Sequence, residues 1–165
     1  MTAIGPLHRL RALLAAVAEV QPRRAIAGRP IALGWATVEL ERAAAELGAE
    51  LGIPADRFLD AAQTFALGAR CRVVRGVLPD AMSLVLLEPA TEGRLAATLA
   101  RFGEGPAAVW LAVADLPGAA ASARVAGIEI SVERAGPFGA ERLVLDGPIH
   151  GPHRLLIELA GTIRA

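Results

Sequence analysis

Apolar residues recur along the chain first at helical spacing and then in short, strand-like runs. Residues 6–20 predict an amphipathic leading helix, because their apolar positions share one helical face. Residues 21–30 are basic and bounded by Pro and Gly, which predicts a linker. From residue 31 onward, short apolar strands alternate with Ala-rich helices. The apolar positions of the leading helix are Leu7, Leu10, Leu13, Leu14 and Val17.

One strand–helix pattern occurs twice. Ile31–Leu47 reads IALGWATVELERAAAEL, and 76 positions later Ala107–Ala123 reads AAVWLAVADLPGAAASA. Each copy predicts a strand, then an acidic residue followed by Leu, then a helix. The two halves also end alike, in apolar runs that stop at Glu88 and Glu158. The repeat therefore predicts a duplicated module.

Turn and cap residues set the bounds of the predicted elements and give each half the order β-α-β-β-β. We therefore predict an α+β fold of two βαβββ modules that form a shared β-sheet cup, preceded by one helix. Residues 1–30 form the N-terminal helix and linker, and 31–165 form the domain. Within it, module one spans about 31–89, a connecting helix 91–103, and module two about 107–160. A plain α+β sandwich whose halves are alike by accident is the alternative.

The predicted strands and helices can be stated by residue number. The strands are 31–38, 57–61, 68–77, 81–88, 108–114, 128–133, 141–145 and 153–159. The helices are 41–51, 92–102 with Thr91 as its N-cap, and 117–126.

Composition narrows the class of protein. The chain has 165 residues, 54% of them hydrophobic, so it can bury a sizeable core. No apolar stretch reaches the roughly 18 uncharged residues of a membrane span, which predicts no membrane association. The 17 basic and 17 acidic residues balance, which argues against nucleic-acid binding. All the basic residues are Arg, as in GC-rich bacterial genomes.

The single cysteine indicates a reducing compartment. Cys71 excludes an internal disulfide and fits a cytoplasmic location. It lies in an apolar run, where a buried, inert thiol is favoured over a nucleophile. The first residues have some features of a targeting leader, but Glu19 interrupts the apolar stretch, which favours the amphipathic helix.

The duplicated unit resembles a known superfamily. The βαβββ repeat and the segment that links its halves, LLEPATEGRLAATLARFGEGPAAVWLAVADL, are similar to the vicinal oxygen chelate superfamily. That superfamily includes glyoxalase I, methylmalonyl-CoA epimerase, extradiol dioxygenases and the fosfomycin and bleomycin resistance proteins. The resemblance covers about residues 31–160. It implies that the two modules curl side by side around one cup.

The resemblance also implies a metal site, which this sequence matches only in part. Active members hold a divalent metal through a His on each first strand and a Glu on each last strand. Glu88 and Glu158 match the carboxylates, but the His positions are occupied by Ala32 and Ala108. Two carboxylates and water would make a weak Mg or Mn site, and His150 is a substitute ligand if its loop bends inward. His150 and His153 hydrogen-bonded to backbone are the alternative.

Strand alternation predicts which residues face the cup. If Ala32 and Ala108 face it, so do Gly34 and Trp110, while Trp35 packs against the helices. The mostly small cup-facing residues would leave room for a ligand, with Trp110 as an aromatic wall.

Several side chains could serve catalysis or binding. Glu88 and Glu158 could act as general acid and base. Arg70 and Arg72 share a strand face, with Arg75 on the other, and could bind an anionic or CoA-type ligand. Solvated carboxylates and a solvated sheet face are the alternatives.

We therefore expect a glyoxalase-like protein that binds a small organic molecule in its cup. Isomerase or lyase chemistry through an enolate-like intermediate is the first expectation, with a homodimer as the expected assembly. A metal-free, resistance-type binding protein without turnover is the alternative, and a degenerate structural relative is a third.

Overall fold

The computed structural model describes residues 5, 7–12, 15, 28–147, 149 and 151–158. Within this part of the chain, eight strands form one mixed sheet in the order β2-β3-β4-β1-β5-β8-β7-β6. The strands are β1 (Arg29–Ala36), β2 (Leu59–Thr64), β3 (Ala69–Val74), β4 (Ser83–Pro89), β5 (Gly105–Val113), β6 (Arg134–Gly136), β7 (Gly139–Leu143) and β8 (His153–Glu158). The helices are α1 (Leu40–Leu51), α2 (Arg94–Phe102) and α3 (Leu116–Val125).

The two halves of the chain form the two halves of the sheet. In each half the first and last strands are parallel neighbours, β1 beside β4 and β5 beside β8. Parallel neighbours need a crossover, and α1 and α3 lie in these crossovers. At the centre, β1 pairs with β5 in antiparallel register and joins the halves. The predicted α+β fold of two βαβββ modules is confirmed.

The outer edges of the sheet meet. The Phe65 N–H, just after β2, donates a hydrogen bond of 3.1 Å to the Ala135 carbonyl in β6. Nearby, the Thr64 hydroxyl donates to the Glu141 carboxylate across the same junction, at 2.7 Å. We call this junction the seam. Because the seam joins strands from opposite edges, the sheet curls into a cup that is nearly closed.

Alternate residues of each strand face two separate apolar cores. The helix-side core lies between the sheet and helices α1 and α3 and includes Leu33, Trp35 and Leu111, whereas Leu95 of α2 packs against the cup interior. The cup interior lies on the concave face and includes Ala32, Ala108 and Trp110. The predicted facing of both tryptophans is therefore confirmed. Cys71 also lies in the cup interior, where burial raises the pKa of its thiol to about 12, as expected for an inert thiol.

The described part of the leading helix packs onto the domain. Residues 7–12 are helical, and Leu10 is only 1% exposed within the helix-side core. The Arg9 guanidinium lies 5.0 Å from the Trp35 ring centroid and donates to the Glu104 carbonyl at 3.0 Å. Most of the predicted linker, residues 21–27, lies outside the described residues.

Glu104 fastens the loop after α2 to the start of α1. Its carboxylate accepts hydrogen bonds from the Thr37 hydroxyl at 2.6 Å, the Val38 N–H at 3.0 Å and the Arg42 guanidinium. The Arg42 hydrogen bond is the largest cause that lowers the pKa of Glu104 to about 2. The carboxylate therefore stays ionised over the ordinary pH range and ties the connecting segment to module one.

Several predicted elements differ from the structure, and two of the differences have a clear physical reason. Helix α2 begins after Gly93 and not after Thr91, whose hydroxyl lies against Gly68, where an added Cβ would be 2.3 Å away. The strand predicted at 128–133 is reduced to one bridge, Ile130 with Val144. There, the Ser131 hydroxyl accepts the Leu143 N–H at 2.8 Å, so a side chain replaces a ladder hydrogen bond.

The packing of Trp110 against Gly34 predicts the result of one substitution. A Cβ at Gly34 would lie 2.8 Å from Leu87 Cδ1 and 2.9 Å from the Trp110 ring. We expect Gly34→Ala to lower the free energy of unfolding by about 1–3 kcal/mol, as overpacking does, measured by urea denaturation. The loss should shrink in a Trp110→Leu background. Gly147→Ala, where nothing lies within 4 Å, is the control; an undiminished loss in the Trp110→Leu background would contradict the proposed packing.

Candidate functional site

Glu88 and Glu158 each cap the helix of their own module. Glu88 Oε2 accepts the Leu40 N–H at 2.9 Å, and Glu158 Oε2 accepts the Leu116 N–H at 2.9 Å. These N–H groups open α1 and α3, where a helix has unpaired donors and favours negative charge. The residues at the N-cap positions, Glu39 and Asp115, make no side-chain cap hydrogen bond. The last-strand carboxylates therefore do the capping.

This placement corrects the expectation that the two glutamates face the cup. Residues Val85 and Leu87 of β4 point into the cup interior, so Glu88 points to the helix side. In β8 the inward residues are Leu155 and Ile157, which likewise places Glu158 on the helix side.

The two glutamates also lie far apart. Ala36 pairs with Leu87 of β4 on one side and with Gly105, the first residue of β5, on the other. Glu88 follows Leu87 and therefore lies near the start of β5. Glu158 pairs with Val113 at the end of β5. The length of β5 separates these positions, roughly 25 Å at the usual rise per strand residue. This geometry does not support one site shared by Glu88 and Glu158, and their roles as metal ligands or as acid and base stay predictions.

The small residues of the predicted cup floor surround the Trp110 side chain. Trp110 is fully buried, and its ring lies against Gly34, where an added Cβ would also lie 3.1 Å from Ala108 Cβ. Ala32 pairs directly with Trp110 across β1 and β5. The space that the sequence suggested for a ligand is thus taken up by the indole. A ligand-binding role for these four residues stays a prediction.

The cup interior contains one buried carboxyl group that the sequence analysis missed. Glu141 of β7 is 0% exposed, and its Oε2 accepts the Thr64 hydroxyl at 2.7 Å. Its Oε1 has no hydrogen-bond partner among the described residues. That oxygen lies where a Cβ at Gly136 would be, 1.5 Å from the ideal position, so only glycine fits beside it.

Burial sets the charge state of Glu141. Removal from water raises the pKa of Glu141 to about 7, and the Thr64 hydrogen bond offsets part of that rise. The Trp110 indole N–H also lowers this pKa, although it falls short of hydrogen-bond geometry. A carboxyl group with a pKa near 7 can both take and give a proton near neutral pH.

One ring of an aromatic pair, Trp110, lies beside this carboxyl group. The rings of Trp110 and Phe138 meet edge to face with centroids 5.7 Å apart. The Arg75 guanidinium lies 6.0 Å from the Phe138 centroid on the outer side of the pair. A row of contacts therefore runs from Arg75 at the rim, through two aromatic rings, to the surroundings of Glu141.

The histidine and arginine predictions have mixed outcomes. His153 faces the cup and not the side of Glu158, and its Nε2 lies 2.8 Å from the Thr98 hydroxyl. His150 lies outside the described residues. Arg72 is on the outer face and bonds Asp60 at 3.1 Å and Glu41 at 3.5 Å. Two carboxylates already form ion pairs with the Arg72 guanidinium, so this group is not free for the predicted role in substrate binding.

The described residues do not fit the metal site of the superfamily. They include no group of three His, Cys, Asp or Glu side chains that could hold an ion. Most cup-facing positions on the first and last strands are apolar, among them Ala32, Val85, Ala108 and Leu155, and the described polar ones, Ser83 and His153, bring no carboxylate. Hard divalent ions need several oxygen ligands, which these side chains do not supply. We therefore derive no chemistry through a metal.

The sequence did carry a signal for Glu141. Glu141 and Leu143 pair across β7 and β8 with Ile157 and Leu155, and all share the cup face. A Glu at a position of inward parity in a predicted strand is a buried charge, which proteins tolerate only with a partner or an altered pKa. The alternation that places side chains on the first strand of each module applies to β7 in the same way.

The raised pKa of Glu141 predicts the pH dependence of stability. Between about pH 4.5 and 7 the folded chain binds more protons at Glu141 than the unfolded chain. The free energy of unfolding should therefore fall as pH rises through this window, by on the order of 2–3 kcal/mol in total. Glu141→Gln should remove this fall, so that the variant gains on the wild type between pH 5 and pH 8 in urea denaturation. Glu133→Gln, at an exposed carboxylate, is the control; parallel pH profiles for wild type and Glu141→Gln would contradict the assignment.

The two helix caps predict a second stability result. Glu88→Ala and Glu158→Ala should each lower the free energy of unfolding by about 1 kcal/mol, because each leaves an N-terminal N–H without its acceptor. The losses should add in the double variant, since the sites share no contacts. Glu50→Ala, on the exposed face of α1, should change little. Strong non-additivity in thermal or urea unfolding would contradict two independent caps.

Comparison with known proteins points to one fold. No protein-family model and no curated protein sequence matches the chain. Methylmalonyl-CoA epimerase from Mycobacterium tuberculosis matches with a TM-score of 0.67 and 20% identity, over 84% of this chain and 91% of that one. A variant of the Streptomyces coelicolor epimerase, in complex with 2-nitronate-propionyl-CoA, matches with a TM-score of 0.65 and 23% identity, over 81% and 99%.

A methylmalonyl-CoA epimerase in complex with methylmalonyl-CoA and NH4+ is similar to the same degree, with a TM-score of 0.66 and 23% identity, over 81% of this chain and 96% of that one. Identities this low establish the fold and not the activity. These epimerases belong to the superfamily that the repeat resembled. The duplicated βαβββ chain therefore has the fold of the vicinal oxygen chelate superfamily.

Proposed function

We propose that the protein binds a small organic molecule in its cup and transfers a proton on it, with Glu141 as the acid–base group. The observation that carries this proposal is the buried Glu141 carboxyl, whose pKa is raised to about 7 and whose Oε1 has no partner among the described residues. A strongly perturbed carboxyl inside a concave site is a common mark of an active site. The reaction class is isomerisation through an enolate-like intermediate.

The chemistry uses groups of the cup alone. The Glu141 carboxylate would take a proton from the carbon beside a carbonyl, and the resulting acid would return it to the other face. The negative charge on the enolate oxygen needs a donor in a dry site. The Trp110 indole N–H lies beside Glu141 and makes no hydrogen bond among the described residues, so it is the donor we assign.

Access to Glu141 requires movement at the rim. Glu141 and Trp110 are both fully buried, while Phe138 is only partly buried and lies in the turn between β6 and β7. We propose that the substrate displaces Phe138 from its contact with Trp110. Water would then be excluded by the substrate itself once it is seated.

The solved neighbours suggest the first substrate to test. Their structures include complexes with methylmalonyl-CoA, a thioester with an acidic C–H beside the carbonyl, and with 2-nitronate-propionyl-CoA, in which that carbon is already deprotonated. We therefore propose a carbonyl compound of the acyl-thioester type as ligand. Lyase chemistry, a weakly bound Mg or Mn ion and a homodimer stay predictions.

In the described part of the chain, no helix is long and apolar enough to cross a membrane.

A metal-free binding protein without turnover is the second candidate function. It is favoured by the packing of the cup, where Trp110, Leu87 and Leu155 are all fully buried and leave Glu141 shielded. In this case Glu141 would be a buried hydrogen-bonding group of the seam, and the bound molecule would lie nearer the rim.

Hydrogen–deuterium exchange at the α-carbon distinguishes the two functions. With methylmalonyl-CoA in D2O, followed by NMR, the wild type should exchange the α-proton at a rate that rises with pH through about 7. Glu141→Gln should lower this rate at least 100-fold, the usual scale of a lost general base. Glu133→Gln should leave it unchanged.

The contrary results are specific. Exchange that survives in Glu141→Gln would remove Glu141 from the chemistry. No exchange by the wild type, together with thermal stabilisation by methylmalonyl-CoA, would establish the binding protein instead.

A further inference from the structure

We infer that a cavity at the rim of the cup binds the carboxylate end of an amphipathic organic acid. The cavity has a volume of about 420 Å³ and lies where β2 begins and β3 ends. Its lining includes Arg57 and Arg75, together with the apolar side chains of Leu59, Ala61 and Val73. Clefts of this size and mixed chemistry commonly hold small ligands.

The charges of the cavity favour an anion. Neither Arg57 nor Arg75 makes an ion pair with a carboxylate of the described residues. Arg72 on the neighbouring face, by contrast, is held by Asp60 and Glu41. Asp60 also lines the cavity, but it forms an ion pair with Arg72. The lining therefore has one other carboxylate, Asp56, and the two guanidinium groups of Arg57 and Arg75. A guanidinium group offers paired N–H donors that match a carboxylate.

The apolar part of the cavity defines the rest of the ligand. Leu59 is 66% exposed although it starts a strand, and it pairs across the sheet with the buried Val73. Ala61 continues the same face. An alkyl chain laid along these side chains would cover apolar surface that water now contacts. The two features together call for a carboxylate attached to an apolar chain.

The cavity borders the interior of the cup, because Val73 lines the cavity and belongs to the apolar core of the cup interior. The Arg75 guanidinium lies 6.0 Å from the Phe138 ring, which contacts Trp110. A ligand anchored by its carboxylate at Arg75 would thus direct its chain toward Phe138. This inference deepens the proposed function and rests on it only for what happens at Glu141.

Calorimetric titration of the full chain with octanoate tests the inference. Octanoate should bind, and the uncharged octanamide should bind at least ten-fold more weakly. Arg57→Gln and Arg75→Gln should each weaken octanoate binding at least five-fold, and Asp56→Asn should strengthen it. Binding should also weaken as salt rises, because the charges are exposed. Arg101→Gln, at an exposed arginine of α2, should leave binding unchanged.

The outcomes separate this inference from the proposed function. The inference is overturned if octanoate does not bind, if octanamide binds equally well, or if both arginine variants, shown to be folded by their thermal melts, bind as the wild type does. Glu141→Gln should keep octanoate binding. If the protein binds octanoate but does not exchange the α-proton, the proposed role of Glu141 is contradicted and the cavity is not. If it exchanges the α-proton but does not bind octanoate, the cavity is contradicted and the role of Glu141 is not.

Discussion

The packing of one indole ring against a strand without a side chain determines the interior of this cup. Trp110 lies at the centre of the sheet, where the two modules meet, and its ring fits only because β1 presents Gly34 to it. The neighbouring alanines are small for the same reason. A Trp side chain is among the largest sources of buried apolar area. Here it serves both halves at once, since it belongs to module two and packs on module one.

The same packing explains the unusual carboxyl group. The packed interior around Trp110 keeps water from Glu141, and a carboxyl without water favours its neutral form. The strongly charged side chains lie elsewhere. Arg70 pairs with Glu88 and Arg72 with Asp60, all on the outer face of the sheet. The alternation of the strands thus separates a dry interior that holds the Glu141 carboxyl from an outer face that holds these ion pairs.

Much of the fold could be predicted from the sequence, and less of the site. Repetition gave the modules, and alternation gave the facing of Ala32, Trp35 and Trp110, because both depend on local pattern. Alternation within β4 also predicts that Glu88 points away from the cup, whereas the family resemblance implied a metal ligand at this position. Whether the small residues leave an empty cup floor depends on which side chain lies opposite them, and here that side chain is Trp110. This is set by the register of β1 on β5, which no single strand reveals.

The capping glutamates have a consequence for how this architecture could be rearranged. Glu88 closes the helix of the first half and Glu158 that of the second, so neither half needs the other to start its helix correctly. The halves share the β1–β5 pairing, the indole packed on it and the seam. A circular permutation that placed the second half first would keep both helix starts, and its success would depend on re-forming that central strand pair.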